Sequence, residues 1–412
     1  MKPKLKKFGS MYLCIIFLSK IGNGLYFFIT TWLISILLNN PYATSFNLLT
    51  SIIPSIFFST LIGSICDKYR ASYLCSCSDF TRSIVVIFIS CLIYFNKLTL
   101  ISGVLLSFTF YLCSETQQIG WRAVISKNFD NIHLLKLNTL SVIGGQSGVV
   151  LGAASAGFIS HYFGYYYILM LIVLIYLATS ALTLFIHNTL KTSNNNPLSQ
   201  DSTSTHYIVN NNESRIGVFN YAKSNKKASF FYSIMLLNVL ILYVINSTLS
   251  PFVNLKLNME AIAFSLIDSS YSIGSILGGY VISHYFKKGF SVAILIATFM
   301  FLSVALGIYG FSKNIFLPLV CYFTIGACSQ NTLIFLTLAQ KATENIYQAR
   351  MYSFFNTATG IIGLIVYSAS PIIIKYDLYH WVFLFLSFLT LFILLLIMVI
   401  IFKIKLPLSL DS

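Results

Sequence analysis

Twelve apolar stretches lie along this chain, six on each side of one polar insert, and each is long enough to cross a bilayer. Hydrophobic residues make up 57% of the sequence and charged residues 9%, so water could not solvate this much apolar surface. The stretches are continuous, whereas the strands of a membrane β-barrel alternate apolar and polar residues. The sequence therefore predicts an all-α polytopic membrane protein with twelve transmembrane helices.

The predicted helices form two groups of six. In the first half they cover 10–38, 45–66, 72–95, 98–120, 138–161 and 164–187. In the second half they cover 229–255, 261–285, 289–311, 314–339, 351–374 and 379–403. We therefore predict an N-terminal six-helix bundle over 1–187, a cytoplasmic linker over 188–227 and a C-terminal six-helix bundle over 228–412. The linker is rich in Asn, Ser and Thr, which is typical of a flexible polar segment.

Lysine and arginine are distributed unevenly between the two sides of the predicted membrane. With the N-terminus inside, most of the 26 cations lie in cytoplasmic segments. Four cations lie on the opposite side: Lys97, Lys256, Lys313 and Lys375. The positive-inside rule then predicts that both termini lie in the cytoplasm. The net charge of +15 is read as a topology signal and an attraction to anionic lipids, and nucleic-acid binding is not predicted.

The cysteines and histidines do not form a catalytic or metal-binding pattern. The eight cysteines lie in or beside apolar stretches and read as small packing residues. The six histidines are scattered singly along the chain. No segment resembles a nucleotide-binding loop, so ATP drive within this chain is not expected. The sequence therefore predicts neither an enzyme, nor a metal site, nor a cofactor.

Small residues recur every four positions on two predicted helices. Gly144, Gly148 and Gly152 form such a row on the fifth helix, and Gly274 and Gly278 form a similar stripe on the eighth. Residues four apart share one face of a helix, and glycines on that face let another backbone approach closely. We predict that both rows are helix-packing faces. They are either static contacts or places where the two halves approach and separate.

Several short motifs, taken in order along the chain, carry a family resemblance. The loop between helices two and three, Gly63-Ser-Ile-Cys-Asp67-Lys68-Tyr69-Arg70, resembles the loop signature of the major facilitator superfamily, with a thinner basic cluster. Segments 18–24 of helix one and 79–82 of helix three resemble the branch of macrolide-efflux and enterobactin-export permeases. Helix five is similar to the antiporter motif without its usual proline. The resemblance implies the major facilitator fold, in which two six-helix bundles alternate access around a midplane cavity.

Charged residues at the cytoplasmic ends of helices two and three form a candidate gate. Asp67 follows Gly63 by four residues and shares its helix face, while Asp79 and Arg82 are three apart on helix three. We predict one charge cluster that holds the inward side closed and breaks as the halves move: Asp67, Arg70, Asp79 and Arg82. The alternative is a static ion network.

Ionisable and aromatic residues within the spans mark a candidate substrate and proton pathway. Its members are Lys20, Asn23, Trp32, Glu115, Asp268 and Tyr271. An ionisable group inside a membrane needs a reason, and snorkelling to the surface is the alternative reading for Lys20 and Glu115. Asn23 stands where the resembled branch often has Asp, which moves the expected proton carrier to Asp268 or Glu115. The two aromatic members would contribute rings to a pocket, with lipid contact as the alternative.

The resemblance implies a secondary active exporter in the bacterial inner (plasma) membrane. The implied substrate is a hydrophobic drug such as a macrolide, a siderophore or a peptide antibiotic made by the same cell, in which case export would confer self-immunity. Coupling to protons is expected. The alternative is a membrane immunity or sensor protein that binds such a compound without moving it. The implied partners are therefore a small-molecule or peptide substrate, protons and membrane lipids, with no cofactor.

Overall fold

A computed structural model describes residues 3–128, 131–193, 218–286 and 292–404 of the chain. Within these ranges the structure consists of helices and contains no β-strand. The predicted all-α class is therefore confirmed. The described residues form twelve long helical segments, which are numbered spans 1 to 12, and one short helix, Val218–Ser224.

The first half of the chain forms spans 1 to 6. Span 1 joins Pro3–Phe28, Ile29–Leu33 and Ile34–Leu37. Span 2 joins Ala43–Ile53, Pro54–Phe58 and Ser59–Lys68. Spans 3 to 6 are Ala71–Tyr94, Leu100–Asn128, Asn131–Phe163 and Tyr165–Ser193.

The second half of the chain forms spans 7 to 12. Span 7 joins Lys226–Pro251 and Phe252–Lys256, and span 10 joins Phe316–Ser329 and Thr332–Ala342. Spans 8, 9, 11 and 12 are Ala261–Phe286, Val292–Tyr309, Asn345–Lys375 and Tyr379–Ile404.

Eight spans are apolar and long enough to cross a membrane, judged by length and composition within the described residues: spans 1, 3, 6, 7, 8, 10, 11 and 12. Ala43–Phe58 in span 2 and Ala293–Tyr309 in span 9 are shorter apolar helices. Spans 4 and 5 fall outside both groups although they are 29 and 33 residues long. Their polar residues, among them Gln117, Gln118 and Gln146, line a cavity, which explains their lower apolar content.

The predicted linker is helical at both of its described ends. Span 6 continues to Ser193, past the predicted end at residue 187, and residues 194–217 lie outside the described ranges. Val218–Ser224 then forms a short helix. The side chain of Asn225 accepts a hydrogen bond from the backbone N–H of Ala228 at 3.1 Å, which caps the start of span 7.

The chain forms two compact units. Unit 1 consists of Met1–Phe27, Thr50–Gly152 and Phe163–Tyr221, and unit 2 consists of Phe28–Leu49, Ala153–Tyr162 and Ala222–Ser412. Unit 2 therefore includes the C-terminal ends of spans 1 and 5 and the N-terminal end of span 2. Within unit 2, Ser370 donates a hydrogen bond to Ser45 at 2.6 Å, which shows one reason why these pieces pack with second-half helices. The division into bundles over 1–187 and 228–412 stays a prediction.

The same pairing of two helices occurs once in each unit. The hydroxyls of Ser76 on span 3 and Ser180 on span 6 lie 2.9 Å apart, and each donates to the backbone carbonyl of the other residue at 3.0 Å. Ser303 on span 9 and Ser387 on span 12 repeat this arrangement, with their hydroxyls also 2.9 Å apart. Such pairs satisfy polar groups away from water and hold two backbones close together. Because spans 9 and 12 follow spans 3 and 6 by six, the pairs indicate a repeated six-helix plan.

Span 12 shows how the spans divide between interior and exterior. Phe385, Phe388, Phe392 and Leu395 are between 57% and 68% exposed and are spaced by three or four residues, so they share one face. Leu386 and the rest of the opposite face are buried against neighbouring helices. An exposed apolar face of this size is unfavourable in water and favourable against lipid tails.

Short turns with a left-handed residue end several spans. These residues are Asn39 (φ 48°), Asn96 (φ 52°), Gly164 (φ 86°), Asn258 (φ 51°) and Asp377 (φ 49°). Asn and Asp tolerate this backbone region because their short polar side chains bond locally, and glycine lacks the Cβ that disfavours it. Each turn follows an odd-numbered span and reverses the chain within a few residues.

Candidate functional site

Asp79 and Arg82 form an ion pair inside unit 1. They lie one helical turn apart on span 3, so their side chains share a face. Both side chains are fully buried, and Arg82 Nη2 bonds directly to Asp79 Oδ1. Charges removed from water are tolerated only if their remaining polar atoms also find partners. The surroundings of this pair therefore decide whether it is a stable part of the interior.

Polar side chains from three other spans contact this pair. Arg82 Nη1 donates to Asn23 Oδ1 of span 1 at 3.1 Å, and Gln117 Nε2 of span 4 donates to Asp79 Oδ2 at 3.2 Å. Tyr176 of span 6 donates to the same Asn23 oxygen at 2.7 Å, and its ring lies 4.4 Å from the guanidinium carbon. Arg82 Nε has no hydrogen-bond partner among the described residues. The network thus ties spans 1, 3, 4 and 6 into one body.

The structure separates this pair from Arg70 of the predicted gate. Asp79 and Arg82 lie eight and eleven residues after the start of span 3, which places them about 12 and 17 Å along its axis. Arg70 is exposed just before that start, and it makes no bond to the pair within the described part of the chain. The side chain of Asp67 lies outside the described ones. At Gly63 an added Cβ would meet no described atom within 4 Å.

A cavity of about 630 Å³ lies in unit 1 between spans 1, 4 and 5. This volume is in the usual range for small-molecule sites. Lys20 on span 1, Gln117 and Arg122 on span 4 and Gln146 on span 5 give the wall its polar groups. Trp121 adds a large ring to the wall. Because Gln117 also bonds to Asp79, it connects the cavity wall to the buried ion pair.

The charged residues of the cavity are two cations. Lys20 and Arg122 line it, and its described lining contains no Asp or Glu. Glu115, which is half-buried on span 4, attracts both cations electrostatically. Neither cation is in a direct ion pair with a carboxylate among the described residues. The cavity therefore carries excess positive charge in the absence of an occupant.

Span 5 packs against span 1 at two of the three predicted glycines. A Cβ at Gly148 would lie 2.7 Å from the carbonyl oxygen of Phe17, and a Cβ at Gly152 would overlap the carbonyl oxygen of Ile21. At Gly144 a Cβ would meet no described atom within 4 Å. Real Cβ contacts are not this short, so the backbones at the first two positions approach closely because glycine stands there.

Span 8 packs against span 10 through the second predicted stripe. A Cβ at Gly274 would overlap the carbonyl of Phe323, and a Cβ at Gly278 would overlap the carbonyl of Ala327. Gly326 of span 10 meets the backbone of span 8 in return, and the sequence pattern did not select it. Gly326 lies in a short run of small residues on span 10, which was the available signal.

The remaining predicted pathway residues lie in unit 2. Asp268 of span 8 is half-buried and has no hydrogen bond or ion pair among the described residues. The hydroxyl of Tyr271, one turn further along, lies 3.4 Å from that of Ser329 on span 10.

Trp32 is 5% exposed. Its ring centre lies 5.2 Å from that of Phe264, so it packs between helices. Lys20, Asn23 and Glu115, in contrast, belong to unit 1.

Known proteins resemble this chain in sequence and in structure. The family model described as the Major Facilitator Superfamily matches residues 12–366. The chain belongs to this superfamily. The superfamily and its structural relatives are transporters, which confirms a multi-pass membrane transporter of this fold and not an enzyme. No curated protein matches the sequence.

Solved transporters of the same fold cover nearly the whole chain. The nucleoside transporter NupG is 13% identical, with 96% of this chain and 99% of that chain covered and a TM-score of 0.69. A bacterial homologue of the iron transporter ferroportin in an inward-facing state is 13% identical over 95% and 98%, with a TM-score of 0.70. A POT family transporter in complex with a thioalcohol conjugated peptide is 15% identical over 97% and 96%, with a TM-score of 0.65. At these identities the likeness shows the fold alone.

Proposed function

We propose that this transporter is a proton-coupled exporter of the bacterial plasma membrane, and that it moves a drug, a siderophore or a self-made peptide antibiotic out of the cell. The observation that carries this proposal is the cavity in unit 1, whose wall combines cations, amides and aromatic rings. A wall of this kind suits an organic molecule with polar groups on an apolar body. The direction of transport rests on the resemblance of helices one, three and five to exporters.

The buried network around Arg82 supports a unit that moves as one body. It joins spans 1, 3, 4 and 6 through side-chain bonds that involve Asp79, Asn23, Gln117 and Tyr176. Alternating access needs units that keep their internal packing while they rotate. The ion pair thus has a function in transport as the rigid centre of unit 1, next to the cavity that holds the substrate.

Asp268 is our candidate for the proton site. A carboxylate within a membrane bundle is a functional candidate unless a cation accounts for it. Asp79 is accounted for by Arg82, and Glu115 is attracted by Lys20 and Arg122. Asp268 has no bonded partner in the described part of unit 2. Of these three carboxylates, Asp268 is therefore the one whose protonation would change the charge of its surroundings most.

Everted membrane vesicles that contain the chain would test this proposal. A macrolide, a catecholate siderophore and a hydrophobic peptide are added in turn to energised vesicles, and the internal pH is followed with a fluorescent dye. We expect at least one class to be taken up while protons leave the vesicles, and vesicles without the chain to show neither change. Binding of a compound without uptake or proton movement would favour the immunity or sensor alternative. No response to any class would contradict the proposal.

A further inference from the structure

We infer that the cavity in unit 1 selects substrates that carry an anionic group, and that Lys20 and Arg122 determine this specificity. The inference rests on the proposed function, because it takes the cavity as the substrate site. The anion of the substrate would pair with the two cations, and its apolar body would contact the rings and aliphatic side chains of the wall. The expected ligand is thus an amphipathic organic anion, such as a carboxylate on an aromatic body.

Three polar side chains of the wall can only donate hydrogen bonds. The side chains of lysine, arginine and tryptophan donate hydrogen bonds and cannot accept them. Lys20, Trp121 and Arg122 all line the cavity, and Trp121 Nε1 has no hydrogen-bond partner among the described residues. The side-chain oxygen of Gln117 already accepts a bond from Ser19 at 3.2 Å. A ligand that supplies oxygen acceptors, as a carboxylate does, would complete this wall.

The charges of the wall also favour an anionic ligand. Lys20 and Arg122 contribute two positive charges, and Glu115 is the carboxylate that attracts both. The nearby Asp79 and Arg82 compensate each other. Excess positive charge in the wall attracts an anionic ligand, and the same field opposes a cationic ligand. An anionic ligand therefore gains where a cationic one of the same shape loses.

The remaining wall suits an apolar body. Tyr12 and Trp121 lie with their ring centres 5.1 Å apart, and the aliphatic side chains of Ile16, Ile125 and Val149 line the same cavity. Rings and aliphatic groups give affinity, whereas the few placed charges give specificity. The cavity thus offers a polar and an apolar contact to one molecule.

Export of an anion is compatible with proton coupling at Asp268. A proton that moves inward and an anion that moves outward both transfer positive charge into the cell. The membrane potential, which is negative inside, therefore favours both movements. The substrate and the proton bind to different residues in different units in this scheme, so they need not compete for one carboxylate.

A matched pair of probes would test the inference on the full chain. N-dansyl-phenylalanine carries a carboxylate, and N-dansyl-phenylalaninamide is its neutral counterpart of nearly the same shape. Binding of each to the purified chain in lipid nanodiscs is followed by energy transfer from tryptophan to dansyl, with empty discs as the blank. We expect the acid to bind about tenfold to a hundredfold more tightly than the amide, which is the range of a charge-assisted hydrogen bond.

Four variants identify the residues that cause the preference for the acid over the amide. Lys20→Met and Arg122→Gln should each remove most of it, whereas Arg122→Lys, which keeps the charge, should retain it. Lys97→Met is the matched control, because Lys97 is an exposed cation of unit 1 that does not line the cavity. If Lys20→Met does not fold, the Arg122 pair of variants still decides the test, since Arg122 is exposed.

Three results would overturn the inference. The acid and the amide could bind equally, the acid could stay preferred in both Arg122→Gln and Lys20→Met, or neither probe could bind. Transport of both probes at equal rates in proteoliposomes would contradict anion selection and leave the exporter proposal intact. Selective binding of the acid without any transport would support the inference and contradict the exporter proposal.

Discussion

Arg82 donates a hydrogen bond from Nη1 to Asn23 Oδ1 over 3.1 Å, so the buried guanidinium contacts a neutral amide of span 1. Asp79 is consequently the only carboxylate bonded to Arg82 among the described residues, and the buried pair has no net charge. Asn23 also accepts the hydrogen bond from Tyr176. Asn23 is thus a neutral acceptor for two donors, which fixes span 1 against spans 3 and 6.

The first prediction concerns this ion pair. Asp79→Asn leaves the guanidinium of Arg82 buried without a counter-charge, which should lower the free energy of unfolding by about 3–5 kcal/mol. The double variant Asp79→Asn/Arg82→Gln removes both charges and should regain much of that loss. Thermal unfolding of the single and double variants in detergent measures the coupling between the two sites. Strictly additive losses would mean that the pair does not stabilise unit 1 as a unit.

The second prediction concerns the contact between spans 1 and 5. Gly152→Leu and Gly148→Leu should block the close approach of the two backbones and abolish export, even if some protein still inserts. The smaller change Gly152→Ala should already lower thermal stability, because its Cβ would overlap the Ile21 carbonyl. Gly144→Ala is the control in the same row, and it should be neutral since space is open there. Full activity of both leucine variants would exclude this interface from the mechanism.

The third prediction concerns proton coupling. Asp268→Asn should abolish substrate-induced proton movement in vesicles while the folded protein is still present at the wild-type level. Asp268→Glu, which keeps a titratable carboxylate, should retain part of it. Glu115→Gln is the comparison for the other candidate. Proton movement that is unchanged in Asp268→Asn and lost in Glu115→Gln would assign the coupling role to Glu115.

The fourth prediction concerns topology. Both termini should lie in the cytoplasm, so a green fluorescent protein fused to the C-terminus should fluoresce. Lys97, between spans 3 and 4, should lie on the opposite side. A cysteine placed there by Lys97→Cys should react with a membrane-impermeant maleimide in whole cells, with the chain that carries only its native cysteines as the blank. A dark fusion together with an unreactive Lys97→Cys would reverse the orientation.

The twelve spans were predictable because long apolar runs are a local signal. The end of span 4, in contrast, was not predicted correctly. The apolar run ends near residue 120, where the predicted helix stops, but the helix continues to Asn128. Trp121 and Arg122, which follow the predicted end of the helix, therefore lie on span 4 and line a cavity. The four-residue spacing of Gln117 and Trp121 and of Gln118 and Arg122 was the signal that could have extended the helix.

The partners of Arg82 were hidden for a different reason. Asn23, Gln117 and Tyr176 come from three other spans, and Tyr176 lies 153 positions from the Asn23 side chain that it bonds. Contacts over such separations depend on how the spans pack, which no local pattern in one sequence encodes. The spacing of Asp79 and Arg82 was local, and it correctly indicated that the two are neighbours. Their depth within span 3 was also a local signal, because a helix that begins at residue 72 places Asp79 about 10 Å along its axis.

The accumulation of a labelled substrate in energised cells shows whether this chain performs active export. Cells that express the chain are compared with cells that carry the empty vector and with cells that express Asp268→Asn at the same level. The labelled compounds are a macrolide, a siderophore and N-dansyl-phenylalanine. We predict lower accumulation of at least one compound in cells with the wild-type chain, a difference that an uncoupler and Asp268→Asn both remove. Equal accumulation of every compound in all three cell types would contradict the account.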